Sequence, residues 1–61
     1  MIKTIIVDDE KPNRDLISHL VQEVPIEIEI VGEANSLETA KELIKKIEPE
    51  LILLDIRLLL T

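Results

Sequence analysis

From Ile2 to Val7 the chain reads IKTIIV, a mostly β-branched run that meets the acids Asp8, Asp9 and Glu10. Such a run predicts a strand ending in a turn. Pro12 suits the first turn of a helix, and Leu16, Ile17, Leu20, Val21 and Val24 recur behind it at helical spacing. A helix over about residues 12–24 is expected, stopped by Pro25. Ile26 to Val31 alternates, with Ile26, Ile28 and Ile30 on one face and Glu27 and Glu29 on the other, as in an exposed or edge strand. Gly32 to Asn35 reads as a turn, and Asn35 with Glu38 three residues later resembles a capping box. Leu37, Ala40, Leu43, Ile44 and Ile47 then form one helical stripe opposite Lys41, Glu42, Lys45 and Lys46. After Pro49, Leu51 to Leu54 is continuously apolar.

The predicted order is βαβαβ in a single domain. Uninterrupted apolar strands want cover on both faces, as in a parallel sheet under helices, whereas the alternating second strand belongs at an edge. With right-handed crossovers the strand order becomes 2-1-3. No fourth strand follows within these residues, so the far side of the third strand is expected to be completed by another chain. Leu58, Leu59 and Leu60 read as an apolar tail that would join such a partner, in a homodimer or higher oligomer.

Composition narrows the function. A domain of 61 residues buries only about 60% of its unfolded surface, so its stability is expected to be marginal. There is no cysteine to form a disulfide or a thiolate metal site. Lys and Arg number 7 against 13 Asp and Glu, a net charge of −6, and there is no Phe, Tyr or Trp. Neither a basic patch nor an aromatic platform is available for nucleic acid. No apolar run approaches the ~20 residues needed to span a bilayer, and a cytoplasmic location is expected.

Parallel α/β sheets place ligands at the carboxyl ends of their strands, where the strand order reverses. In a 2-1-3 sheet that point lies between the first and third strands, where Asp8 and Asp9 end one and Asp55 ends the other. Standing alone, the Asp8–Glu10 run would read as solvated or helix-terminal acid, which the helix dipole favours. Its pairing with Asp55 is what points to a site. Crowded carboxylates are unfavourable unless a cation joins them, and oxygen-only ligands suit a hard ion such as Mg²⁺. A metal held there would neutralise charge as a phosphoryl group reaches a carboxylate nucleophile. His19 has no second His at metal spacing and reads as an ordinary helical residue, and Glu27 with Glu29 reads as a solvated face. A haloacid-dehalogenase-like phosphatase wants a second acid two residues after its nucleophile, and Arg57 occupies that place.

The stretches IIVDDEKPNRDLISHL, VGEANSLETAKELI and PELILLDIRL, in this order, resemble the N-terminal half of a bacterial response-regulator receiver domain, most closely the receivers of LytTR-type regulators. The resemblance covers residues 2–58, which gives a partial receiver over 1–58 and a non-family tail over 59–61. It implies a flavodoxin-like fold and a two-component phosphorelay role that is not itself enzymatic. Asp55 would be the phosphoacceptor, taking phosphate from a histidine kinase. Asp8, Asp9, Asp55 and the backbone carbonyl of Arg57 would hold Mg²⁺, with the Arg57 side chain facing solvent. The receiver fold is itself an illustration of the switch-point rule, so these two lines of support overlap. The family's later Ser/Thr hydroxyl and Lys lie outside these residues, and Thr61 is too near Asp55 to be that hydroxyl, so phosphorylation is expected to be impaired. A self-associating half-fold without signalling activity is the alternative.

Overall fold

The computed structural model describes residues 1–60; Thr61, read above as part of the tail, lies outside the described residues. Three parallel strands, β1 (Ile2–Val7), β2 (Ile28–Ala34) and β3 (Leu51–Leu54), form one sheet in the order β2-β1-β3, with helices α1 (Lys11–Leu20) and α2 (Leu37–Ile47) in the two crossovers. This is the expected architecture of a partial flavodoxin-like fold. Thr4, Ile5, Ile6 and Val7 of the central strand are completely buried, the consequence of strands on both sides and a helix over each face.

The second strand departs from the expected turn at Gly32–Asn35. It continues to Ala34, and its register against β1 slips: Thr4 pairs with Ile30 but Ile5 pairs with Gly32, leaving Val31 as an extra residue. Side chains alternate faces, so the bulge reverses the pattern at mid-strand. Ile28 and Ile30 lie on the same face as Thr4, while Gly32 and Ala34 lie on the face of Ile5 and Val7. That second face packs under α2, where Ile5, Val7, Ala34 and Ala40 form the core with Val31, Leu43 and Ile44 against it. A Cβ at Gly32 would stand 2.9 Å from Leu43 Cδ2, so the glycine lets α2 lie close on the strand.

Because β2 runs through Ala34, the cap of α2 moves from the expected Asn35 to Ser36. The Ser36 hydroxyl accepts from the Thr39 N–H at 3.1 Å, and the Thr39 hydroxyl accepts from the Ser36 N–H at 3.2 Å, closing a reciprocal box. Asn35 contributes only its side-chain oxygen, which accepts from the Thr39 hydroxyl. The helix stops at Glu48, whose φ of 54° is left-handed.

Helix α1 ends at Leu20 and tightens into a 3-10 turn over Val21–Glu23, shorter than the expected run to residue 24. It buries no residue fully, and Leu16 and Leu20 stay 56% and 49% exposed. Beyond β3 the chain forms a 3-10 turn over Ile56–Leu59. This corrects the reading of Leu58–Leu60 as a uniform apolar tail: Leu58 packs on the core, and only Leu59 and Leu60 are exposed.

Candidate functional site

The acids at the strand ends are held by the backbone of neighbouring strands. The Asp8 N–H donates to the Ala34 carbonyl of β2 at 3.0 Å, and the Asp55 N–H donates to the Val7 carbonyl of β1 at 2.9 Å. Both bonds prolong the parallel ladders by one residue, which fixes the acids at the same rim. Carboxylate oxygens of Asp8, Asp9 and Asp55 lie within 4.8 Å of one another, so the structure brings together the three acids expected from sequence.

Their surroundings differ. Asp8 is buried; its Oδ1 accepts from the Glu10 N–H at 2.9 Å, and its carbonyl accepts from Arg14 Nη1 at 2.7 Å. Arg14 also reaches Glu33 at the end of β2, at 3.0 Å, and so ties the first turn of α1 to two strand ends. Asp9 is exposed, and Glu10 takes the N-cap position of α1 without a side-chain cap bond. The Asp55 side chain is only 10% exposed beneath an Arg57 side chain that is 61% exposed.

The Arg57 side chain is largely exposed to solvent, as expected, yet it folds back over Asp55. Its Nε lies 3.2 Å and 3.0 Å from the two Asp55 oxygens, and its Nη2 donates to Oδ2 at 2.8 Å. The Arg57 N–H donates to Asp55 Oδ1 at 3.0 Å, and Nη2 stands 3.9 Å from Asp9 and 3.8 Å from Glu10. Hydrogen bonds from this one side chain, then from its backbone, hold the Asp55 carboxyl below the usual carboxylate range, and the same pairing raises the Arg57 guanidinium. The Arg57 carbonyl accepts from the Leu60 N–H at 3.1 Å, closing the 3-10 turn.

The donor set is hard oxygen in excess of local positive charge, which fits a small divalent cation such as Mg²⁺. Beside the acids opens a groove of about 500 Å³ lined by Asn13, Leu16, Ile17, Leu53 and Leu54, with Asp8, Asp55 and Arg57 at its rim. His19 is exposed on α1, 3.8 Å from Glu23 and away from this group, as expected.

Two side-chain roles escaped the sequence reading, which places only the Arg57 backbone carbonyl at the site. Arg14 carried a signal: it falls three and seven residues before Ile17 and Val21, a cation placed on the inward stripe of α1. Arg57 carried none, because its return onto Asp55 depends on the 3-10 turn after β3.

The chain is 41% identical over 58 residues to the sensory transduction protein LytT of Bacillus anthracis, spanning 95% of this chain and 23% of that protein. It is 40% identical over 58 residues to a protein-glutamate methylesterase/protein-glutamine glutaminase of Syntrophus aciditrophicus, of which it spans 16%, and 32% identical over 56 residues to another from Dechloromonas aromatica. The chain therefore spans about a quarter or less of the curated relatives it matches. No protein-family model matches it, and no solved structure matches it. Among the described residues no helix is long and apolar enough to cross a membrane. Similarity along nearly its whole length to these proteins, together with the parallel 2-1-3 βαβαβ sheet, makes the chain similar to the receiver domains of response regulators, matching their first three strands and two helices.

Proposed function

We propose that the chain is the phosphoacceptor portion of a two-component relay, with residues 1–58 as the receiver unit and Asp55 as the acceptor. An Asp55 oxygen attacks the phosphorus of a phosphohistidine on a histidine kinase. The new O–P bond forms as the P–N bond breaks, and the electron pair leaves on the imidazole nitrogen. Asp8, Asp9, Asp55 and the Arg57 carbonyl are the ligands for Mg²⁺, which supplies neutralisation of the charge gathered on the phosphoryl oxygens. The chain receives the group rather than turning over a substrate, and such a partnership belongs in the cytoplasm. The observation that carries this reading is the convergence of three carboxylates within 4.8 Å on two adjacent strand ends. Acetyl phosphate with Mg²⁺ should add the mass of one phosphate to the chain, and Asp55→Asn should abolish the addition. An unchanged mass in the wild-type chain refutes it.

A second reading is favoured by a separate observation. Among the described residues β3 pairs only with β1, and Ile52 and Leu54 on one of its faces are 41% and 38% exposed. An unpaired apolar edge templates strand addition, here by a second copy of the chain. With Leu58 packed on the core, Leu59 and Leu60 remain for exchange. Sedimentation should then show a dimer that dissociates on dilution; a folded monomer at all concentrations excludes it.

A further inference from the structure

We propose that Arg57 is a tethered counter-cation that closes the acidic site at rest, so that a divalent cation gains Asp55 only as the guanidinium leaves it. The inference rests on the reading of the three acids as a metal site and adds a gate to it.

Both oxygens of Asp55 are taken by Arg57: Oδ1 by the backbone N–H at 3.0 Å and Nε at 3.2 Å, Oδ2 by Nε at 3.0 Å and Nη2 at 2.8 Å. Forked pairing of this kind is directional and charge-assisted, and it spends the lone pairs a metal or an electrophile would use. The guanidinium also leans toward Asp9 and Glu10, at 3.9 Å and 3.8 Å, and so stands where crowded carboxylates demand positive charge. A metal ion and a guanidinium on the same carboxylate repel each other at such separations. Exposure sets the order of events, since the Asp55 side chain is 10% exposed and the covering Arg57 side chain 61%. The arginine side chain is the solvent-exposed partner of the pair, whereas Asp55 is fixed by the ladder bond from its N–H to Val7.

The test titrates Mg²⁺ alone into the full chain by calorimetry, comparing wild type, Arg57→Gln and Lys11→Gln. Lys11 is exposed and pairs with Asp15, so its substitution removes one nearby positive charge without touching Asp55. Arg57→Gln should bind Mg²⁺ about two- to five-fold more tightly, the range expected for release of one solvent-accessible ion pair. Lys11→Gln should bind as wild type. In parallel, the Arg57 Nε–H proton should be protected from solvent exchange in metal-free protein and lose that protection as Mg²⁺ saturates the site. Equal Mg²⁺ binding by wild type and Arg57→Gln, an equal gain from Lys11→Gln, or an unprotected Nε–H overturns the gate while leaving the metal reading standing. Failure of all three proteins to bind Mg²⁺ overturns the metal reading and the gate with it.

Discussion

Arg14 holds the site in place without belonging to the acidic cluster, and Arg14→Met should show how much that support is worth. The arginine side chain is 15% exposed, and its Nη1 donates to the Asp8 carbonyl at 2.7 Å while Nε meets Glu33 at 3.0 Å. Met keeps a long unbranched stem and removes both donors. A hydrogen bond from a charged group to a partly buried carbonyl contributes about 1.5–3 kcal/mol. The Glu33 contact adds little, because that carboxylate is 39% exposed and returns to water when its partner is lost. Against a total of ~3–5 kcal/mol for a core of this size, the substitution should remove roughly half the stability. The melting temperature should fall by about 10–20 °C, since each kcal/mol is worth roughly 4–8 °C in a domain this small. The chain contains no aromatic residue, so the assay is far-UV circular dichroism, on heating and under urea, rather than intrinsic fluorescence. Glu33→Gln should cost less than about 1 kcal/mol. An Arg14→Met midpoint equal to wild type, or a Glu33→Gln loss as large as that of Arg14→Met, would show that the Asp8 carbonyl is not where the arginine acts.

Two further outcomes test the architecture and the site. Ser36→Ala removes the side-chain acceptor for the Thr39 N–H and should cost about 0.5–2 kcal/mol in the same urea assay, whereas Asn35→Ala should cost less; the reverse order would restore Asn35 as the cap. Asp55 has its folded-state acidity strengthened by Arg57, so the unfolded chain binds the proton first on acidification. The contribution of the pair is fully present above the ordinary carboxylate pKa of about 4 and is lost as pH falls through the lower folded value. Asp55→Asn should therefore flatten the acid limb of the stability profile, and superimposable limbs for the two proteins would count against the pairing.

The strand order was readable because it follows from contrasts that survive in a linear sequence. IKTIIV and LILL are apolar enough to demand neighbours, whereas alternating Ile and Glu in the second strand can face water. Once that order is set, Asp8, Asp9 and Asp55 must share a rim, and they do. What stayed hidden depends on relations between segments. The Val31 bulge is a matter of register against β1, and no local pattern announces that Gly32 and Ala34 turn to the opposite face from Ile28 and Ile30. The bulge then carries β2 past the expected turn and shifts the helix cap by one residue. Likewise Leu58 looked like part of a run with Leu59 and Leu60, yet a 3-10 turn points it back at the core. In each case the residue type allowed two placements, and packing against a distant element selected one.

The three acids of the rim are therefore unequal by construction. Asp8 is held through its N–H, its side chain and its carbonyl, by Ala34, Glu10 and Arg14 in turn, so its oxygens are already aimed before any ligand arrives. Asp55 is fixed by its backbone to β1 but covered by the side chain of a residue only two positions away, in the 3-10 turn that follows β3. Asp9 lies exposed and can follow whichever cation occupies the rim. Rigid positioning of one acid lowers the ordering cost of binding, and the exposed arginine covering another is the gate proposed above. In the phosphoacceptor reading proposed above, the first property keeps the acids from drifting apart by mutual repulsion and the second keeps the carboxylate covered in the absence of a cation. The division follows from chain position, since Asp8 enters a helix that clamps it and Asp55 enters a short turn that folds back over it.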